Sequence, residues 1–522
     1  MKGLNTGVVF ALMVCVSAIM ISLHLHKGHF WGDDFAAYIM QAQSVAEGTP
    51  EDFLEENQFT IYQSSFQMGP VAYPWGLPTI QAAVTAVFGT SLIAFKSVSA
   101  VSFLLFLLCL WFGFRKYHTR LGFLGLVGIF AFNPYVLDRT NAIGTELPFL
   151  YLSTQSMIMI SILVVENRSI TKSMTWDYVL LGASIAVAFF VRTNGLLLLV
   201  TLAISQCIAF LQKELKGQNL GLKSIASSVF LKTCFASHRF SFRAVSLSLT
   251  PYAVFFCAVV LWRLALPQGG ASHLGLLNQI TVSHLIEHAI YYLKSPADFF
   301  WNVPYHKWFY VMSFPILIFG VLKRLKVDYP IIVYALLTYL LYVVWPGTAG
   351  LRAIMPIIPF YISFIISGLE VFQASAHPDK RKLRKLACWV PFLAIVGIPF
   401  FVSINLVAIN VRNNGESNHG PYAQTSKEMF SFIEENTDKD SIIIFFKPRV
   451  MRLMTNRKSL LINRPDQLSR GDYLCYCLNP EPDSQISEAE ENTLAISEAA
   501  QLLYENDNFR IYRLKDATIE SR

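Results

Sequence analysis

"LNTGVVFALMVCVSAIMISL" (Leu4–Leu23) runs into "HLHKGHFWGDDFAAYIMQAQSVAEG" (His24–Gly48), and the junction between the two decides the fold. At about 1.5 Å rise per residue, the first stretch is long enough as a helix to cross the roughly 30 Å hydrocarbon layer of a bilayer. Only Lys2 precedes it as a cation. The apolar run outlasts a signal-peptide core and no clear small-x-small cleavage site follows, so it reads as an uncleaved anchor. The second stretch then sets two adjacent carboxylates, Asp33 and Asp34, just beyond the membrane edge.

The rest of the chain repeats the first theme. Its 522 residues are 54% hydrophobic and 15% charged, with a mean hydropathy of +0.44, a balance found in multi-span membrane proteins. About eleven apolar runs approach the 17 to 25 residues a span needs. They lie near 4–23, 92–113, 121–137, 148–165, 177–191, 195–211, 247–266, 308–322, 330–346, 353–371 and 387–411. The expected fold is mainly α and polytopic, with interfacial helices in the first external loop and a small external C-terminal α/β domain. Residues 1–411 form the transmembrane domain and 412–522 the external one.

Cations orient the chain. "RKYHTR" (115–120), "ENRSITK" (166–172), the basic stretch 213–243, "KRLK" (323–326) and "DKRKLRK" (379–385) occupy alternate connections, which are therefore cytoplasmic. An odd number of spans places the amino end in the cytoplasm and the polar tail outside. The net charge of +7 is thus mostly a topology signal; a nucleic-acid footprint would gather Lys and Arg on one folded face. In the tail, "SKEMFSFIEENTDKD" has helical spacing with Ser426 as a cap candidate, while "SIIIFFK" (441–447), "GDYLCYCL" and "NFRIYRLK" read as strands. The eight cysteines form neither a disulfide framework nor a zinc pattern; most lie in apolar runs as small hydrophobes.

Ionisable residues cluster at the external span ends. Phe35, Tyr38, Ile39, Ala42 and Val45 recur at three and four, so the acid pair opens a one-sided helix suited to an interface. Two readings of the pair stand: Asp33 caps that helix and Asp34 favours its positive end, or one of them is a general base at the membrane surface. "AYPWGLPTIQAAVTAVFG" (72–89) makes a turn around Tyr73 and a helix too short to span. "NPYVLDRTNAIGTELPF" (133–149) brings Asp138, Arg139 and Glu146; "VRTNG" brings Arg192; "WPGTAGLRAIMPIIPF" (345–360) brings Arg352, which either anchors at headgroup level or grips a phosphate with its forked donors.

The order "DD…Y…A…AEG", "YPWGLP", "ELPF", "RTNGLLLL" and "LRAIMPIIPF", followed by a tail containing "ENTDKDSIIIFFKPR" and "YENDNFRIYRL", resembles the bacterial membrane glycosyltransferases of the C fold class, which include protein mannosyltransferase-like and aminoarabinose transferase-like enzymes. The resemblance runs over nearly the whole chain. It implies transfer of a sugar from a polyprenyl-phosphate carrier to a glycan, lipid or protein acceptor outside a bacterial inner membrane, with the C-terminal domain periplasmic. By it, Asp34 matches the family's loop base best and Asp33 next; Glu146 matches the acid of the second external loop, and Arg352 the arginine for the carrier phosphate. Arg192, Tyr73, Asp138 and Arg139 complete the candidate substrate-binding residues. Trp75, Thr193, Asn194 and Ala353 depart from the family pattern at "YPPG", at "PE" after the arginine and at an aromatic position.

Such transfer needs a base for the acceptor hydroxyl and a cation opposite the departing phosphate; direct attack inverts the anomeric carbon. It requires no cofactor, although His24, His26 and His29 approach Asp33 closely enough in sequence to raise a divalent metal as an alternative. A transporter or flippase of lipid-linked sugars would instead place its ionisable residues midway through the spans, in pseudo-symmetric halves. A non-catalytic scaffold would leave the charge placement without a reason.

Overall fold

The computed structural model describes residues 5–67, 69–165, 174–217, 242–269, 280–375, 381–416, 419–479, 484–497 and 499–515. The connection 166–172, most of the basic stretch 213–243 with Cys234, and part of 379–385 lie outside the described residues. The helices are α1 (Thr6–His24), α2 (Asp33–Glu47), α3 (Pro50–Gln63), α4 (Gly76–Phe88), α5 (Leu92–Phe114), α6 (Arg120–Ala131), α7 (Pro134–Thr140), α8 (Glu146–Ile160), α9 (Met174–Val191), α10 (Leu196–Gly217), α11 (Phe242–Ala265), α12 (Val282–Lys294), α13 (His306–Arg324) and α14 (Tyr329–Val344). A short turn, Leu351–Ile354, leads into α15 (Ile358–Ala374) and then α16 (Arg381–Arg412).

Each of the eleven apolar runs is helical. Among the described residues seven helices are long and apolar enough to cross a membrane, and α6 with α7, bent by 51° at their break, makes an eighth. The bend has a local cause: Pro134 has no N–H to continue α6, and the Asn133 side chain restarts the helix by accepting the N–H groups of Tyr135 and Val136. Of the remaining three runs, α9 and α14 are shorter, and α13 carries Lys307, Lys323 and Arg324 at its ends. The chain is a polytopic membrane protein.

Two ends of the bundle are chemically distinct. At one, the Arg324 guanidinium lies 4.2 Å from the Tyr117 ring and His118 is 3.6 Å from Glu370, so the basic connections 115–120 and 323–326 meet. The other end carries the carboxylate pair and the C-terminal domain.

That domain holds α17 (Gln424–Asn436), α18 (Pro448–Thr455) and α19 (Glu488–Ile496) around strands β1 (Ile442–Ile444), β2 (Lys458–Leu460), β3 (Tyr473–Cys477), β4 (Ala500–Glu505) and β5 (Phe509–Leu514). The sheet order is β2-β1-β3-β5-β4, with β1 parallel to β2 and β3, and β5 antiparallel to β3 and β4. Ser426 does not cap α17: Ala423 holds that position, and the Ser426 hydroxyl donates back to Gly420 O.

The hydrophobic cores tie the C-terminal domain to the rest of the chain. One core fills the bundle around Phe106, Phe123, Phe130 and Phe149. A second joins Phe35, Tyr38 and Ile39 of α2, Trp75 and Phe95 to Met429, Phe430, Phe445, Phe446 and Val450 of the C-terminal domain. The domain is therefore built onto α2. In consequence α2 is not a one-sided surface helix: every residue from Phe35 to Ala42 is buried. Its polar Gln41 is tolerated there because its amide donates to Tyr73 O at 3.1 Å and accepts Tyr73 N–H at 3.2 Å.

Candidate active site

The site begins at the amino end of α2. Gly32 occupies the capping position without a side-chain bond, and Asp33 and Asp34 form the first turn. Asp33 is thus the first helical residue, not the cap. Free N–H groups and the helix dipole favour both carboxylates there.

The two acids then diverge. Asp33 turns into the domain interface, where its Oδ1 accepts the Arg449 N–H at 3.0 Å and its Oδ2 lies 3.5 Å from Arg449 Nε. Its side chain is 13% exposed and that of Arg449 is 1% exposed. Burial pushes the Asp33 carboxyl upward and the adjacent Asp34 adds to this, with Arg449 and Lys447 pulling the other way; the net direction is up. Asp34 stays open: its side chain is 42% exposed. Its Oδ1 accepts the Tyr73 hydroxyl at 2.5 Å and its Oδ2 lies 3.5 Å from Arg352 Nη1. Burial, reinforced by the Asp34 charge, holds the Tyr73 phenol well above its ordinary range, so it remains a donor.

Three distant segments meet at Arg352. Besides Asp34, its Nη1 lies 4.0 Å from Glu146 Oε1 at the start of α8, and its carbonyl accepts Arg192 Nη1 at 3.5 Å. Asp33, Asp34, Glu146, Arg139, Arg352 and Lys447 line one cavity of about 770 Å³, together with Tyr38 and the aromatic rings of Phe30, Trp31 and Phe446. That volume suits a substantial ligand. Tyr73 reaches the cavity through its bond to Asp34. Asp138 is not among the lining residues; it lies 3.1 Å from His24 Nε2 instead. Arg192 is not among the lining residues either; it reaches the site through its bond to the Arg352 carbonyl.

Buried struts hold the loop before the acids. Lys96, fully buried, donates to His26 O at 2.7 Å, to Asn141 Oδ1 at 2.8 Å and also to Gly28 O. His29 has Phe30 O at 3.0 Å from Nδ1, while its Nε2 accepts Ile143 N–H at 3.2 Å. With both ring nitrogens engaged, His29 is not presented toward a metal, and among the described residues no three His, Cys, Asp or Glu side chains are grouped to hold one.

Sequence reasoning missed Arg449 and Lys447. Both sit in the quoted "FFKPR", but nothing in a tail segment some 400 positions from the acid pair signals that it packs on α2.

No protein-family profile matches the chain, nor does any curated protein sequence. Solved structures do match. ArnT from Cupriavidus metallidurans in the apo state aligns over 97% of this chain and 98% of its own, with a TM-score of 0.54 and 11% identity. The same protein bound to undecaprenyl phosphate aligns over the same shares at 0.54 and 11%. This chain has the fold of the C-class membrane glycosyltransferases. The archaeal oligosaccharyltransferase AglB from Archaeoglobus fulgidus, in complex with an inhibitory peptide and a dolichol-phosphate, aligns over 86% of this chain and 64% of its own, at a TM-score of 0.52 and 11% identity. Identity at that level carries the fold; activity has to rest on the residues of the cavity.

Proposed function

We propose that the chain is a membrane glycosyltransferase that moves a sugar from a polyprenyl-phosphate carrier to an acceptor hydroxyl on the external, periplasmic side of a bacterial inner membrane. The observation that carries the reading is the meeting of an open carboxylate and an open guanidinium, Asp34 and Arg352, 3.5 Å apart in a cavity at the span ends. A carrier's tail stays in lipid while its sugar phosphate emerges at that level.

In the reaction the acceptor oxygen bonds to the anomeric carbon as the carbon–phosphate oxygen bond breaks. Asp34 takes the hydroxyl proton. Arg352 offsets the charge that collects on the departing phosphate, and Glu146 and Arg192 hold Arg352 in place. Attack opposite the leaving group inverts the anomeric centre. Because attacking and departing oxygens lie on opposite sides of that carbon, the Asp34–Arg352 pair parts when donor enters. Arg352 has the length and exposure to swing toward the phosphate, and its planar fork suits it.

The reading predicts that Arg352→Ala in lipid nanodiscs binds undecaprenyl phosphate about 10- to 100-fold more weakly than the parent, the loss of one charge-assisted contact. Equal affinity would remove Arg352 from phosphate binding.

A further inference from the structure

Arg449 is an arginine with almost no exposed surface, a costly placement unless each donor is met. It stands in the first turn of α18, in the C-terminal domain, and its groups reach across to the other part of the chain. Its backbone N–H donates to Asp33 Oδ1, while Nε makes no hydrogen bond and is compensated by the Asp33 carboxylate charge 3.5 Å away. Nη2 donates to Pro70 O at 2.7 Å, and Nη1 donates to the Tyr73 hydroxyl at 3.2 Å. The guanidinium also lies 5.3 Å from the Tyr73 ring. Tyr73, its lone pair occupied, spends its proton on Asp34.

Resting on the glycosyltransferase reading, we infer that Arg449 is a positioning residue: it locks Asp33 as a strut, and through Tyr73 fixes the carboxylate of Asp34 as the single base facing the cavity. The adjacent acids thereby acquire different jobs from one residue of another domain. With Oδ1 held by Tyr73, only Oδ2 of Asp34 is left toward Arg352 and an incoming hydroxyl. A freely rotating carboxylate would place the base in the attacking geometry only part of the time. Domain docking and base orientation are thus one interaction, so a domain that lifts off α2 releases the base.

A purely structural Arg449 would hold the domain on and do nothing more, and Tyr73→Phe separates the two roles. The variant keeps the ring and leaves Arg449 its bonds to Asp33 and Pro70, removing only the hydroxyl between Arg449 and Asp34. Two measurements on the full chain in nanodiscs decide the matter. The first needs no donor: carbodiimide with glycine amide labels carboxyls, and mass spectrometry resolves Asp33 from Asp34. Asp34 labels and Asp33 stays protected in the parent; Tyr73→Phe speeds Asp34 labelling severalfold and leaves Asp33 protected, and Arg449→Lys, which loses the Nη1 bond to Tyr73 but keeps the backbone N–H on Asp33, does the same. Equal labelling of both acids in the parent, or an unchanged Asp34 rate in Tyr73→Phe, overturns the inference.

The second follows steady-state release of undecaprenyl phosphate from its mannose, glucose and aminoarabinose esters, with an envelope extract as acceptor. Tyr73→Phe and Arg449→Lys lower kcat about tenfold or more with donor KM unchanged, as expected for a base out of register. A rise in KM with kcat retained overturns the inference. A parent chain silent with every donor defeats the glycosyltransferase reading, and the labelling still decides the positioning role.

Discussion

At the scale of single residues, the loop that presents the acids is tuned by burial. His29, packed under Phe35 and bonded through both nitrogens, is pushed down from 6.5 to about 3, mainly because burial penalises its charged form, with Lys96 adding to the effect. The unfolded chain takes up a proton there below pH 6.5 and the folded chain does not, so stability contributed by neutral His29 is present above pH 6.5 and lost progressively down to about pH 3. Asp33, raised, acts in the opposite sense, the folded form gaining as it protonates. Subtracting a His29→Gln variant isolates the histidine. Between pH 7 and pH 5 the parent loses about 2 kcal/mol more than the variant, read from melting curves in detergent; parallel curves would contradict the assignment. The acid pair, Tyr73, Glu146 and Arg352 were legible because polar residues at span ends stand out in an apolar chain. Asp138 looked equivalent by the same criterion, yet its partner is His24; charge at a span end does not fix which way a side chain turns.

Among elements, the spans were legible and the details between them less so. Apolar length alone found the eleven runs, since a helix is the only single-segment way to satisfy backbone groups in lipid. β2 escaped because three residues, "KSL", offer no alternation, and β4 because "AQLLYE" mixes both faces at an exposed edge. The α2 helix misled: its spacing fits an interface helix, and only Gln41 pairing with the Tyr73 backbone shows how the polar side could be buried. Close approach between helices likewise leaves only a faint trace in sequence. A Cβ at Gly320 of α13 would meet the carbonyl of Phe364 in α15, the helix that continues from Arg352. Gly320→Val is expected to destabilise the bundle by about 2–3 kcal/mol through overpacking, whereas Gly397→Val, where nothing lies within 4 Å, is a near-neutral control. Equal melting temperatures for the two variants would refute the contact.

For the whole molecule, the shared core between α2 and the C-terminal domain is the feature that sequence concealed most completely. Composition changes sharply after the last span, which invites a reading of two independent parts, but complementarity of two surfaces far apart in the chain leaves no local pattern. Phe445 meets Trp31 of the acid-bearing loop edge-on, with ring centroids 5.9 Å apart, and also packs against Phe430 and Phe509 of its own domain. Its removal should cost about 3–5 kcal/mol and lower a single melting transition seen by tryptophan fluorescence and by protease resistance of the domain alike. Two separated transitions in the parent would show that the parts fold alone.

In the proposed reaction Asp34 takes the proton in a cavity it shares with Arg352, while its neighbour Asp33 supports the architecture. Single-turnover sugar transfer by Asp34→Asn, beside Asp33→Asn and the parent, tests it most directly. Asp34→Asn, folded and membrane-inserted, is expected to lose about 10² or more of the rate, and the folded fraction of Asp33→Asn to keep more activity than Asp34→Asn. Transfer by Asp34→Asn at the parent's rate would contradict it.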